Sequence, residues 1–467
     1  MSPTVSTLPR LSESAPAETK HRTALSRADW LALGVLVAVP IFLYVPLAIA
    51  GHLPLEGDNF TQNYPLRVLS GEFLRHGRLP LFDQSIWSGA PLLAGWNAGS
   101  LFPGTWLFAV LPSVSAWTIN AAGALVVAGV ALFVFLRRIG CSSLAALLGA
   151  LAFSETGFMA GQIPHLGLIQ GMALAPVMLI ALDGLQREIS PPEPTRRSGS
   201  AVLAWVVLLA VAAALCVLAG DPRAVSNDAV IVIGYVIACC WRARRVRTIA
   251  VLLAALAGSA VLAVLLSAPQ WLPGLAFLHS SQRGVTSLAY FRAGSLTVHA
   301  VPLLFLPFGL GGYGNLGEPM YASGYNLPEV TFALGTLALV ALVALVLPRL
   351  RRLSPAPLGV WFGLFLFGIV LTTGPSTPLV HLLVRIPLYS GERLQNRNIA
   401  ISDLALAVLL AVFVDAASRR FSAGREVREK VPESARQTGV GSGAGAGAWA
   451  GAMAPGLSLL ERVLLLV

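Results

Sequence analysis

Residues 51–103 read GHLPLEGDNFTQNYPLRVLSGEFLRHGRLPLFDQSIWSGAPLLAGWNAGSLFP, and this stretch cannot be a membrane span, although apolar runs enclose it on both sides. Polar, aromatic, Gly and Pro residues are interleaved too closely for a flexible tether. The stretch reads as a built outer loop. Glu56 and Asp58 follow the first apolar run by a few residues, so a carboxylate is expected near the membrane surface, where it could act on a lipid headgroup.

Working outward, the whole chain has the composition of a membrane protein. Its 467 residues are 56% hydrophobic and only 12% charged, with a mean hydropathy of +0.74, more apolar matter than a soluble core can hide. Runs of about twenty apolar residues then read as membrane helices. The net charge of +10 does not point to nucleic acid, because the basic residues sit in short clusters between apolar runs, where they orient helices in a bilayer. Cys141, Cys216, Cys239 and Cys240 lie in or beside apolar runs without metal-ligand spacing, and are expected to be small packing residues.

The expected spans are Trp30–Ala50, Ser115–Leu136, Leu144–Met159, Leu166–Leu185, Ala201–Ala219, Ala229–Trp241, Ile249–Ser267, Leu327–Leu347, Leu358–Thr373 and Ile399–Ala417. That is an all-α polytopic protein with roughly ten transmembrane helices. Ala48 and Ala50 form an A-x-A pattern, but the run before them exceeds the roughly 7 to 15 residues of a signal-peptide core, so an uncleaved first span is expected. Leu101–Leu111 and Val298–Leu310 are apolar but short, and predict interfacial or re-entrant segments.

Lys20, Arg22 and Arg27 precede the first span, and Arg137, Arg138, Arg187, Arg242, Arg245, Arg349 and Arg419 follow later ones, all on one side by this count. The positive-inside bias makes that side, with the tail 1–27, cytoplasmic. Segments 51–103, 154–165, 220–228, 268–327 and 374–398 then share the outer face. Residues 28–417 form the transmembrane domain, and 418–467 a charged, then Gly/Ala-rich tail. Its last residues, LSLLERVLLLV, resemble the start of another span, as if the chain were truncated.

An outer face of this kind could support glycosyl transfer from a lipid. An acceptor hydroxyl must lose its proton as it attacks, so a nearby carboxylate is a natural base; a phosphate leaving group needs a cation. Asp58 is the candidate base, Glu56 the nearest alternative, and either could help hold a divalent cation. Two acids in an exposed loop could equally be plain solvated residues. Arg283, Arg292, Arg385, Arg393 and Arg397 supply outer cations whose planar forks suit phosphate, or could simply pair with lipid headgroups. His165 could contact phosphate or shuttle a proton, and Glu155 and Asp221 lie near outer membrane ends. Phe60, Tyr64, Phe82, Trp87, Trp96, Phe102 and Trp106 could stack on a sugar, although aromatics also collect at interfaces. No Walker loop, HExxH helix or GxSxG elbow is present, so a soluble nucleotide donor is unsupported.

The loop also resembles a known family. Its Asp58, Gln62, Tyr64-Pro65, the LPL at 79–81 and later G-x-P look like the signature of the bacterial YfhO-like membrane proteins. FSETGFMAGQIPHLGLIQGMALAPVML, LAGDPRA, APQWLPGLAFLHSSQR and the Arg-rich segment near Arg385 are similar to that family in order and spacing. The resemblance implies a GT-C-type glycosyltransferase using a polyprenyl-phosphate sugar outside the cytoplasmic membrane. It implies Asp58 as catalytic carboxylate; Glu56, Gln62, Tyr64, His165, Arg385, Arg393 and Arg397 are the expected substrate-binding residues. The acceptor would be a cell-envelope glycan, lipid or protein. A flippase of lipid-linked sugars and a non-catalytic envelope scaffold are the rival expectations.

Overall fold

A computed structural model describes residues 25–53, 59–86, 88–190, 199–243, 245–281, 287–309, 311–312, 327–347, 357–386 and 389–429, with side chains as far as 420. Among these residues nine helices or helix pairs are long and apolar enough to cross a membrane: Arg27–Ile49, Ser113–Arg138, Ser143–Gly161, Leu166–Ile189, Gly199–Leu218, Pro222–Ala243, Val246–His279, Leu358–Ser376 and Gln395–Arg420. The chain is an all-helical, polytopic membrane protein, as its composition implies. The described strands, β1 (Phe82–Asp83) and β2 (Ala90–Pro91), make one antiparallel ribbon in the first loop.

The helices in chain order are α1 (Arg27–Ile49), α2 (Tyr64–Arg75), α3 (Pro103–Val110), α4 (Ser113–Arg138), α5 (Ser143–Ser154), α6 (Gly157–Gly161), α7 (Leu166–Met172), α8 (Ala175–Ile189), α9 (Gly199–Leu218), α10 (Pro222–Ala243), α11 (Val246–His279), α12 (Leu288–Arg292), α13 (Thr336–Ala344), α14 (Leu358–Thr373), α15 (Val380–Leu383) and α16 (Ile399–Glu429). The last is the centre of the bundle: 94% of its apolar stretch is buried. It packs on α5, α13 and α14. Small residues permit this approach; a Cβ on Gly149 would stand 2.7 Å from that of Ala411. α11 is largely lipid-facing, 17% buried, and packs chiefly on α9.

Ion pairs gather the basic helix ends at one end of the bundle. Arg137 pairs with Asp29 at 2.8 Å, Arg138 with Asp183 at 2.7 Å and Arg419 with Asp415 at 2.7 Å. Asp29 also completes a capping box with Ser26 that starts α1. The Asp415 carboxylate accepts from Ser142 N at 2.7 Å. The first loop, the α9–α10 turn and segment 389–398 meet at the opposite end.

The structure revises four expectations. Leu327–Leu347 is not one continuous helix: a 3-10 turn, Leu327–Val330, runs into irregular backbone before α13 begins. Its polar groups are met by protein, since Leu334 N donates to Leu304 O at 2.8 Å and Gly157 N to Ala333 O at 3.1 Å, which is what makes non-helical chain tolerable inside a membrane protein. The expected loop 220–228 is mostly helix. Pro222 opens α10 at a position where its missing N–H costs nothing, and Asp221 accepts from Arg223 N at 2.9 Å. α11 does not stop at Ser267 but continues through Pro269 and Pro273 to His279; Ser267 Oγ and Trp271 Nε1 donate to Ala263 O and Val264 O along that stretch. The last helix passes Ala417 and runs to Glu429, while 430–467 lie outside the described residues.

Candidate functional site

The first loop reaches the bundle through Arg67. This guanidinium is 1% exposed on α2, bonds Thr105 Oγ1, and donates to Ala219 O at 2.9 Å. Burial lowers its pKa to about 9, which leaves it cationic at neutral pH. Gly99 and Gly220, both with positive φ, let the loop press against the α9–α10 turn: a Cβ on Gly99 would lie 2.6 Å from Ala219 O.

Arg223, three residues beyond Gly220, reaches from that turn to the segment 389–398. It pairs with Glu392 at 2.6 Å and donates to Asn398 Oδ1 at 2.9 Å and Arg393 O at 2.8 Å. Burial pushes Glu392 above the ordinary carboxylate value against the pull of Arg223. Burial also raises Tyr389, beside it, to about 12.

Segment 389–398 in turn holds the broken span. Arg397, 9% exposed, directs Nε to both oxygens of Glu329 at 3.2 Å and Nη2 to Oε1. Asn396 Nδ2 donates to Glu329 O at 2.9 Å and to its carboxylate, and Gln162 Nε2 reaches Oε2 at 3.4 Å. Burial pushes Glu329 upward, but the Arg397 charge and these hydrogen bonds hold it below the ordinary carboxylate value. A carboxylate so saturated is a counter-ion, not a free base.

His165 completes the knot. Its Nε2 lies 3.3 Å from Arg397 Nη2; a guanidinium can only donate, so Nε2 accepts and the proton sits on Nδ1, which is buried without a partner among the described residues. Burial, and then the Arg397 charge, depress His165 from 6.5 to about 3. Above pH 6.5 the ring is neutral folded or unfolded and its titration contributes nothing. Below it the unfolded chain gains a proton that the folded chain refuses, so stability falls by about 1.4 kcal/mol per pH unit. The wild type should therefore lose about 2 kcal/mol between pH 6.5 and 5 that His165→Gln does not lose. Glu329, ordinarily titrating near 4.5, stays out of that window. Unfolding midpoints in detergent at both pH values check this, and parallel pH profiles would sink it.

Of the other expected binding residues, Gln62 is exposed on the 59–63 turn. Tyr64 donates to Ser113 Oγ at 2.7 Å and meets the Trp117 ring edge-on at 5.4 Å. Arg385 and Arg393 are exposed. The structure thus brings His165 and Arg397 together, sets Arg393 four residues from Arg397 with its side chain exposed, and leaves Gln62 apart. Asp58, Glu56, Trp87 and Arg283 lie outside the described residues; so does the cation site expected at Asp58 and Glu56. Among described residues no three His, Cys, Asp or Glu side chains are grouped as metal ligands.

Sequence reasoning missed Arg67, Arg223, Glu329 and Glu392. The available signal was a charged residue in or beside an apolar run, costly unless paired or functional.

No protein-family model matches this chain, and no curated protein does. Among solved structures it is similar to the apo oligosaccharyltransferase of Archaeoglobus fulgidus, with TM-score 0.44 and 15% identity over 94% of this chain and 54% of that one. It is similar to archaeal oligosaccharyltransferase AglB from the same organism in complex with an inhibitory peptide and a dolichol-phosphate, with TM-score 0.42 and 14% identity over 94% and 55%. A third structure, the A. fulgidus enzyme tethered to an acceptor peptide, gives 0.43 and 13% over 94% and 53%. The chain spans about half the length of the structures it matches.

Proposed function

We propose that the chain is a GT-C-type membrane glycosyltransferase of YfhO-like character, which moves a sugar from a polyprenyl-phosphate donor to a hydroxyl of a cell-envelope glycan, lipid or protein. The loop-rich end faces outward across the cytoplasmic membrane. Asp58 takes the proton of the acceptor hydroxyl, the oxygen attacks the sugar's anomeric carbon from the side opposite the phosphate, and the carbon–oxygen bond to phosphate breaks with inversion. Polyprenyl phosphate leaves with the electron pair, and arginine balances its charge.

One observation carries this reading beyond the motif: Arg67, on helix α2 of the first loop, bonds the turn at Ala219, and Arg223, four residues along that turn, bonds the arginine-bearing segment. Among those arginines, Arg397 is already neutralised by Glu329, so exposed Arg385 and Arg393 are the cations left for phosphate.

Transport of the lipid-linked sugar is the second reading. Asp228 and Asp403 favour it, for each is buried in a membrane helix with one carboxylate oxygen lacking a partner among the described residues. Proteoliposomes loaded with a labelled polyprenyl-phosphate sugar and an envelope extract separate the two. Label in the acceptor with matching release of polyprenyl phosphate supports transfer; label that only changes leaflet supports transport, and neither leaves a scaffold.

A further inference from the structure

Arg223 sits in the first turn of α10, 5% exposed, where a guanidinium persists only if its charge and donors are met. Every side chain that its guanidinium meets among the described residues belongs to one segment: Glu392, Gln395 and Asn398 on Nη1, and the ring of Tyr389, whose centroid is 5.6 Å from the guanidinium. Its Nη2 takes the carbonyl of Arg393 at 2.8 Å. One turn of α10 adds two more ties, Ser226 Oγ to Glu392 Oε2 at 3.2 Å and Asn227 Nδ2 to Arg397 O at 3.0 Å.

The segment held this way is not in a relaxed conformation. Leu394 has φ 61, a left-handed geometry that a branched L side chain avoids and that survives only where its surroundings impose it. Its N–H is bonded to Ala293 O at 2.8 Å, and that of Asn396 to Gly294 O at 3.1 Å. These bonds hold the backbone of 394–396 against that of 293–294; Arg393 and Arg292 each precede a bonded residue, and both side chains are exposed. Neither has a carboxylate partner among the described residues. The acid beside Arg393 in sequence, Glu392, is turned inward onto Arg223.

We propose that Arg223 is a positioning residue for an anion-binding surface: it fixes segment 389–398 and takes up the charge of Glu392, so that Arg393 faces a lipid-carried phosphate, a diester in the donor and a monoester in the released carrier, without competition from Glu392. This rests on the proposed donor, whose phosphate on a lipid carrier is the ligand to which the surface is assigned.

The test uses the full chain in detergent micelles as wild type, Arg223→Gln, Arg393→Gln and the double variant, with Arg223→Lys as the milder substitution should Arg223→Gln fail to fold. Trypsin cleavage after Arg393 reads the clamp directly, since Arg223 holds that carbonyl. Cleavage should be about tenfold faster in Arg223→Gln, and Arg223→Lys, which keeps the charge but not the fork, should shift the same way. Polyprenyl phosphate should bind about fivefold more weakly to either single variant, measured at a temperature where each is fully folded, and the double variant should bind no more weakly than Arg393→Gln. A merely structural role would not be silenced by removing Arg393. Wild-type cleavage rates in both Arg223 variants, or additive losses in the double, overturn the inference whatever the donor is. If inorganic phosphate binds with the same dependence on Arg223 and Arg393 while polyprenyl phosphate does not bind, the anion surface stands and the lipid-donor reading falls.

Discussion

Membranes carrying Asp58→Asn at wild-type abundance are expected to transfer sugar about 10²–10⁴-fold more slowly, the contribution of a positioned general base. Asparagine keeps the size and polarity of the side chain and removes only its capacity to take a proton. Donor binding should therefore survive, and lipid-linked sugar should accumulate in the same membranes. Glu56→Gln, in the same loop, should cost far less if Asp58 is the base. Glycan composition and polyprenyl-phosphate turnover, compared at matched protein level, check both variants. Undiminished transfer in Asp58→Asn, together with loss on deleting the protein, would remove Asp58 from the chemistry and turn attention to transport.

The long helices were legible because lipid imposes its own grammar: a span needs about twenty apolar residues, and basic clusters mark one side. The interruptions were harder. At Leu327–Leu347 the residues are apolar enough to cross, and what breaks the helix is the satisfaction of Leu334 and Ala333 by Leu304 and Gly157, partners remote in sequence. At α11 the expected span ends at Ser267, whereas the helix continues through Pro269 and Pro273 to His279. At α10 the helix starts at Asp221-Pro222, within a polar stretch that also fits a loop. In the candidate site, Arg397 and His165 stood out as polar residues on outer segments, whereas Glu329 and Arg223 did not. Their partners lie across other elements: Arg397 Nε reaches Glu329 over a separation of 68 residues, and Arg223 Nη2 reaches Arg393 O over 170. No local pattern encodes such a pair. One sign was available in principle, that a charge next to a long apolar run must be neutralised somewhere.

That requirement sets the size of the second large effect. Glu329→Ala should destabilise the protein by about 3–5 kcal/mol, because it strands the Arg397 guanidinium without its counter-ion. Arg397 is 9% exposed, so water cannot replace the carboxylate that meets its Nε and Nη2. The loss would also leave Asn396 and Gln162 with only their backbone acceptors, Glu329 O and Pro328 O, and so loosen the contacts joining segments 157–165, 327–335 and 395–398. Glu329→Gln should cost less, since an amide oxygen still accepts one of the four donors. The decisive comparison is the double variant Glu329→Ala/Arg397→Met. Removing both charges should restore part of the lost stability, since no unpaired charge is then left buried. Unfolding midpoints and the monodisperse fraction in detergent measure all three. A cost below about 1 kcal/mol for Glu329→Ala, or a double variant less stable than the single, would mean that the pair is solvated and the knot at this end is held by packing alone.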